Sequence, residues 1–193
     1  DIPEALAPQS VDLIDSEGNP VDCQVQGVKP EGLFVDNKWN VPQVFLSKRF
    51  RLLVEAKALP GMGYETFQVI ARHTPDRHSR SLSPGANILE NEFLRVEITA
   101  NGTLVLTDKA RGVEYRSLGY LSDQGEVGNA WRHQAPAQDR VVNSLGAAAR
   151  VAPAEDGPLA ATLRVDLALR VACEAAGDES RSRDEVVLPI THW

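Results

Sequence analysis

Two histidines and an aspartate lie close together in the sequence, where a metal site could form. His73 and His78 flank Asp76. Zinc sites use His, Cys and carboxylate ligands, but usually with the spacing of a helical pair or of a Cys/His finger, and this spacing fits neither. The surrounding residues are polar and supply no core. We therefore interpret all three side chains as solvated groups of a linker.

Two aspartates and a third histidine offer the elements of acid–base chemistry. Asp108 and Asp123 could serve as a pair of catalytic carboxyl groups, but Asp108 follows a strand at a turn, where Asp typically accepts backbone hydrogen bonds. Asp123 and His133 lie in a polar loop, and the sequence gives His133 no fixed partner. The sequence contains no Ser-His-Asp order, no glycine-rich phosphate loop and no CxxC pair.

The polar segment 122–139 holds the most distinctive combination of side chains. It contains Asp123, Glu126, Asn129 and Trp131. The carboxylates and the amide can form hydrogen bonds, and the indole offers a flat apolar face. A tryptophan in a loop is either a functional contact or a plug between domains or in a core. Residue types alone leave both interpretations open.

The composition is that of an ordinary globular protein. The chain has 193 residues, enough for one large domain or two small ones, and a net charge of −7 that argues against non-specific nucleic-acid binding. No apolar stretch approaches the roughly 20 residues of a membrane helix, and no signal-peptide pattern opens the chain. We expect no membrane contact and a cytoplasmic location. Cys23 and Cys173 lack metal-ligand spacing and are interpreted as unreactive thiols, although a disulfide between them stays open.

Most of the chain is typical of β-strands rather than helices. Alternating apolar and polar residues occur at 11–14, 21–25, 44–58 and 64–72. Turn sequences separate them at 17–20, 29–32 and 60–63. Short strands at regular spacing with Gly/Pro turns predict an all-β fold, an antiparallel β-sandwich.

A change of composition divides the chain in two. Polar residues, Pro and Gly dominate from 74 to 86, where Leu82 is the one large apolar residue available to anchor a core. We predict a small β-sandwich unit over 1–75, a linker over 76–86 and a second unit over 87–193.

Residues 89–109, LENEFLRVEITANGTLVLTDK, carry the strongest local signal. Two runs of apolar and β-branched residues flank Asn101 and Gly102. This dipeptide between such runs is a strong hairpin signal, because a type I′ turn needs positive φ at both central residues. We predict an antiparallel hairpin with a type I′ turn.

The second unit continues with further strand signals. A turn at 109–112 leads into a strand at 113–116, and strand patterns resume at 141–151, 160–173 and 185–190. Residues 145–149 could equally form one helical turn, and 174–184 predict a polar hairpin loop. The chain starts abruptly and stops just after an apolar strand, so we expect it to be cut from a longer protein.

Four segments, in order along the chain, together resemble the glycoside hydrolase family 38 α-mannosidases. Residues 89–109 are similar to LENEYLRVEINPDGTLTLTDK, which opens the large β-sandwich domain that follows the catalytic domain of these enzymes. Residues 59–67 (LPGMGYETF) resemble the end of the small β-domain before it. Residues 122–131 (SDQGEVGNAW) resemble a loop reading DEGDVGDEYNYSPP in bacterial members, and 187–190 (VLPI) resemble a strand entry.

The resemblance implies a fold and a role. It implies a small Ig-like unit followed by the first part of a larger, galactose-mutarotase-like sandwich, truncated at its C-terminus. Family 38 enzymes are retaining α-mannosidases of mannose metabolism that use an Asp nucleophile and a Zn²⁺ ion held by His and Asp side chains. Those groups belong to a catalytic domain whose motifs this chain lacks. We therefore expect an enzyme as the parent chain, no cofactor in this part, and no activity from this part alone.

The resemblance also implies where sugar could be contacted. In the family the large sandwich packs against the catalytic domain and lends an aromatic side chain to the rim of the cleft. Trp131, Asn129 and Glu126 have the chemistry to stack on a mannose ring and to hydrogen-bond its hydroxyls, and Asp123 is a further candidate. The segment departs from the family wording, with Asn-Ala-Trp where an acidic residue followed by Glu-Tyr is usual.

Other classes of function stay open. The chain could be a free-standing carbohydrate-binding β-sandwich, although its aromatic content is only 6%. It could also be a structural interaction module. The family resemblance implies the missing catalytic domain and mannose-containing glycans as partners. A cut sandwich exposes strand edges and apolar surface, so we also expect self-association through the cut edges.

Overall fold

The computed structural model describes residues 1–36, 41–57, 59–78, 80–175 and 180–193, and its regular structure is almost entirely antiparallel β-sheet. The strands are β1 (Ile2–Pro3), β2 (Ser10–Ile14), β3 (Pro20–Val21), β4 (Cys23–Val35), β5 (Gln43–Val54), β6 (Gln68–Arg72), β7 (Ile88–Glu90), β8 (Leu94–Ile98), β9 (Leu104–Asp108), β10 (Val113–Leu118), β11 (Ser122–Asp123), β12 (Val142–Asn143), β13 (Ala149–Glu155), β14 (Thr162–Ala172) and β15 (Glu185–His192). Two 3-10 helical turns occur in this part of the chain, at Glu4–Leu6 and Ser144–Gly146.

The chain forms two compact units. Unit 1 comprises Asp1–Ser81 together with Gly157–Ala160, and unit 2 comprises Leu82–Asp156 together with Ala161–Trp193. The late segment is held in unit 1 by buried Gln24, whose side-chain oxygen accepts the backbone N–H groups of Leu159 and Ala160 at 3.1 and 3.0 Å. Nothing in the residue pattern indicated this return. The domain limits 1–75, 76–86 and 87–193 stay a prediction.

Unit 1 contains two three-stranded sheets, with strand orders β1-β5-β4 and β3-β2-β6. Val11 and Leu13 of β2 are buried, which places an apolar core beneath this strand. The longest pairing joins β4 to β5, from Cys23 opposite Val54 to Val35 opposite Gln43.

Two expectations for unit 1 need correction. The turn at 29–32 is wrong, because these residues lie inside β4, opposite Leu46–Arg49 of β5. β4 is an edge strand, and Pro is tolerated on an edge because its missing N–H need not serve a second neighbour. The strand at 64–72 is shorter than predicted and begins at Gln68, while the strand predicted over 44–58 ends at Val54; Ala58 lies outside the described residues.

Unit 2 is a sandwich. Its four-stranded sheet, β10-β9-β8-β7, packs against the three-stranded sheet β13-β14-β15. Ile98 of the first sheet and Leu163 and Val165 of the second form the buried cluster. Partly buried apolar side chains surround it: Leu89, Val96, Leu104, Ala149 and Val151. The all-β sandwich prediction is confirmed.

The hairpin of β8 and β9 is confirmed, but its turn type is wrong. Gly102 has a φ of +82° and is the one residue of this turn with positive φ, whereas type I′ needs two. The N–H of Gly102 donates to Thr99 O, and the N–H of Thr99 donates to Thr103 O, both at 2.9 Å. This is a three-residue loop with a bulge at glycine, and the Asn101 side chain bonds to groups inside and outside it. Its oxygen accepts the Thr103 N–H at 3.1 Å, and its amide donates to Leu145 O at 2.9 Å.

The remaining strands of unit 2 follow the predictions with shifted limits. The turn at 109–112 forms, with Gly112 at a φ of +66° and its N–H donating to Asp108 O at 2.8 Å. The run 141–151 is not one strand, because the helical turn Ser144–Gly146 separates β12 from β13. The loop predicted at 174–184 lies partly outside the described residues.

No helix in the described ranges is long and apolar enough to cross a membrane. The two cysteines are free thiols, Cys23 half-buried and Cys173 exposed. Burial of Cys23, followed by the negative charge of Asp76, raises the pKa of its thiol.

Candidate functional site

The segment from Ser122 to Asp139 is anchored at its base by a buried arginine. The Arg181 guanidinium donates to Asp123 Oδ2 at 2.5 Å and to Asp139 Oδ1 at 3.4 Å, and its side chain is only 6% exposed. Asp139 also accepts the Gly125 N–H at 3.0 Å. The bond with Asp123 is the largest influence that raises the pKa of Arg181. One cation therefore ties the two ends of the loop together.

Within this loop the chain forms a tight turn, residues 126–134, which we call the Trp131 turn. The N–H of Val127 donates to Gln134 O at 2.9 Å, and Asn129 and Arg132 exchange two backbone bonds at 3.2 Å each. The Asn129 side-chain oxygen accepts the Trp131 N–H at 3.0 Å. This closes a two-residue tip of Ala130 and Trp131.

The carboxylate of Glu126 holds the base of the Trp131 turn. Its Oε1 accepts the N–H groups of Gly128 and Gln134 at 2.5 and 3.0 Å, and its Oε2 pairs with His133 Nδ1. The bond from Gln134, then that from Gly128, lowers the pKa of Glu126, because each favours the charged form. The backbone is close here as well: a Cβ on Gly128 would lie 2.2 Å from Arg132 O.

Trp131 lies at the tip with 94% of its surface exposed, so it is not a plug in the core of the described chain. Its indole is held by a turn whose polar groups are mostly bonded internally. A solvent-facing aromatic side chain on a braced turn is suited to stacking on a flat apolar ligand surface, and its N–H can donate a hydrogen bond.

The structure brings three of the four predicted site residues into one turn. Glu126, Asn129 and Trp131 share the Trp131 turn, whereas Asp123 lies at the base of the loop in its ion pair with Arg181. Glu126 and Asn129 each use a side-chain oxygen to brace the turn. Sequence reasoning missed Arg181, because 50 residues separate it from Trp131 and its surroundings are typical of a solvated polar loop.

The other candidate groups have structural partners. Asp108 accepts the Arg111 N–H at 3.1 Å, which confirms its interpretation as a turn residue. His78 Nε2 lies 3.0 Å from Asp76, whose carboxylate also accepts the Val25 N–H at 3.4 Å. Across the described ranges, no group of three or more His, Cys, Asp or Glu side chains could hold a metal ion.

A protein-family model matches this chain over most of its second unit. The model described as "Glycosyl hydrolases family 38 C-terminal domain" matches residues 89–187, more than half of the sequence. The chain belongs to glycosyl hydrolase family 38. The matched range contains the sandwich hairpin, the Trp131 turn and the first three residues of β15.

Relatives agree with this family. A protein of Halalkalibacterium halodurans described as "Putative mannosylglycerate hydrolase" is 32% identical over 127 residues, which is 64% of this chain but 14% of that protein. In structure, an alpha-mannosidase from Enterococcus faecalis V583 matches 98% of this chain with a TM-score of 0.76 and 22% identity. A family 38 protein from Enterococcus faecalis matches with the same coverage, TM-score and identity. These two likenesses show the fold. The chain spans about a quarter of either solved structure, 24% and 25%.

Proposed function

We propose that this chain is the non-catalytic β-sandwich region of a retaining family 38 glycosidase that hydrolyses terminal α-mannosides. Three findings support the proposal: the family, the fold shared with the Enterococcus alpha-mannosidase, and the small share of its relatives that the chain covers. The sandwich would support the catalytic domain of the same polypeptide. A cytoplasmic location is part of the proposal.

Within that enzyme, the Trp131 turn would line the rim of the substrate cleft. The observation that carries this role is the 94% exposure of Trp131 on a turn braced by Glu126 and Asn129. Bracing fixes the backbone of the turn without the help of a core, so little backbone freedom would be lost when a sugar ring stacks on the indole. A mannose-containing glycan is therefore the ligand we assign to this turn.

We assign no catalytic step to this chain. A retaining glycosidase needs two carboxyl groups about 5–5.5 Å apart across the glycosidic bond. The carboxylates nearest to Trp131 in sequence are all engaged: Glu126 with the backbone of the Trp131 turn, and Asp123 and Asp139 with Arg181. The described residues form no metal-binding group either, so the nucleophile and the Zn²⁺ of the family would belong to the catalytic domain.

The experiment that tests this division of labour is hydrolysis of a chromogenic α-mannoside with Zn²⁺ present. The full-length parent enzyme and this 193-residue chain are compared at equal concentration. We expect turnover by the parent and none above the buffer control by this chain. Activity of this chain alone would contradict the non-catalytic role, and an inactive parent would contradict the α-mannosidase assignment.

The relative from Halalkalibacterium halodurans favours a second candidate substrate. Its printed name points to mannosylglycerate, a mannoside whose other half carries a carboxylate. Arg132, next to Trp131, is exposed, and within the described part of the chain its guanidinium makes no ion pair. An aromatic face beside an unpaired guanidinium suits a sugar joined to an anion.

Comparing the two substrates in the parent enzyme separates these candidates. Arg132→Ala should lower kcat/KM for mannosylglycerate and leave that for an uncharged chromogenic α-mannoside unchanged. Arg51→Ala, a change at another exposed arginine, serves as the matched control and should alter neither value. Equal losses on both substrates, or no loss, would remove the case for an anionic substrate.

A further inference from the structure

The hairpin of β4 and β5 changes character along its length. We call residues 28–35 and 43–50 the arm. At the end of the arm that includes Lys29 and Arg49, side chains form ion pairs. Arg49 bonds to Asp1 at 2.7 Å and lies 3.4 Å from Glu31. Beyond Glu31 and its partner Ser47, every paired residue of the arm except Gly32 and Gln43 has a large apolar side chain.

This apolar end of the arm is exposed on both faces. Phe34, Val44 and Leu46 share one face and are 69%, 60% and 65% exposed. Val35 and Phe45 lie on the opposite face and are 45% and 53% exposed. Soluble proteins seldom leave contiguous apolar surface of this kind uncovered, and such a patch marks an interaction site.

Residues of both faces, Val44 and Leu46 of the first and Val35 and Phe45 of the second, line a groove with the start of the chain. β1 pairs with β5 at Lys48 and Ser47, and the helical turn Glu4–Leu6 that follows it also lies against β5. The groove that opens there has a volume of about 660 Å³, and its lining includes Pro3, Ala5, Leu33 and Phe45.

We propose that the apolar end of the arm docks onto another part of the same family 38 polypeptide, outside these 193 residues. This rests on the proposed function, in which the chain is one region of a longer enzyme. The equivalent of 98% of this chain lies within an Enterococcus alpha-mannosidase chain about four times as long, because it covers 24% of that chain. Such a polypeptide supplies the covering surface at a fixed, high effective concentration.

Photo-cross-linking in the full-length parent enzyme tests the docking. A benzophenone amino acid replaces Phe34 on one face or Phe45 on the other, and Met62, fully exposed on a turn of the same unit, serves as the matched control position. Expected are cross-links from positions 34 and 45 to peptides of the same polypeptide outside residues 1–193, and none from position 62. The adducts should not depend on protein concentration.

Two results would overturn the proposal. If adducts form between two copies and increase with concentration, the arm is a self-association surface. If the probes at both positions react with solvent and form no protein cross-link, the arm is not covered by any protein surface. The hydrolysis of a chromogenic α-mannoside by the same samples is measured in parallel. An inactive enzyme with intramolecular cross-links would refute the proposed substrate but keep the docking, whereas an active enzyme without them would refute the docking alone.

Discussion

Two tight turns of unit 2 are built alike and used differently. The turn at 99–103 and the Trp131 turn each close with short backbone hydrogen bonds, and in each an asparagine side chain, Asn101 or Asn129, accepts a backbone N–H two residues later. The tip of the first packs into the sandwich: a Cβ on Gly102 would lie 3.1 Å from both Ala149 and Leu167. The tip of the second presents Trp131 to solvent.

This difference separates a turn that stabilises the fold from a turn that presents a side chain. At 99–103 the tertiary contacts make glycine necessary, so stability depends on the tip. In the Trp131 turn the supporting contacts are at the base, through Glu126 and Arg181, and the tip itself supports nothing in the described chain. Changes should therefore affect stability strongly at the first tip, less at the base of the loop, and hardly at Trp131.

Gly102→Ala should have the largest effect. The added Cβ meets a left-handed backbone, φ +82°, and a closely packed sheet, so the cost of strain plus overpacking is about 3 kcal/mol. Gly112→Ala is the matched control, with φ +66° but no atom within 4 Å, and should cost only about 1–2 kcal/mol. Urea unfolding measures both. Equal losses would show that packing at the tip does not matter.

Arg181→Met should come next. It leaves the carboxylates of Asp123 and Asp139 without their shared cation at the base of the loop, at a cost of about 2 kcal/mol. Hydrogen exchange of residues 122–140 should quicken together with the fall in stability. Arg111→Met removes an exposed ion pair of 3.7 Å and should change stability by less than about 0.5 kcal/mol. Unchanged hydrogen exchange of residues 122–140 in Arg181→Met would show that Arg181 does not hold the two ends of the loop together.

Acid should open the Trp131 turn. The folded turn lowers the pKa of Glu126 from its ordinary value of 4.5, so the turn is stabilised above that pH and loses this support as pH falls through the lowered pKa. The NMR signal of the Trp131 indole reports the opening. Glu126→Gln carries no charge to titrate and should abolish the pH dependence; a transition that persists in this variant would assign it to another group.

Sequence reasoning succeeded where the signal is local and failed where a distant contact decides. The alternation in residues 89–109 predicted β8 and β9, and the glycine at 112 predicted its turn. The turn at Asn101 is a three-residue loop instead, and its Asn101 amide bonds to Leu145 O, 44 residues away, a contact that no local pattern contains. The turn expected at 29–32 failed because Pro and Gly also suit an edge strand, and edge position is a property of the sheet.

The candidate site shows the same limit. Polarity predicted a loop around Trp131, and residue types suggested Glu126 and Asn129 as ligand groups, yet the structure uses oxygens of both to brace the turn. Their role toward sugar stays a prediction. The contacts of Arg181 could not be found from a local pattern, because its partners Asp123 and Asp139 lie 58 and 42 residues away in sequence and only the fold of unit 2 brings them to it.

The most direct test of the account is Trp131→Ala in the full-length parent enzyme, with kcat/KM for an α-mannoside and the unfolding midpoint measured together. Because Trp131 is 94% exposed, we predict an unchanged midpoint and a fall in kcat/KM of about tenfold, the loss of one aromatic stacking contact of about 1.4 kcal/mol. Tyr64→Ala, at another exposed aromatic residue, should change neither. If Trp131→Ala keeps the kcat/KM of the unchanged parent enzyme, that result would contradict the claim that this turn presents an aromatic side chain to substrate.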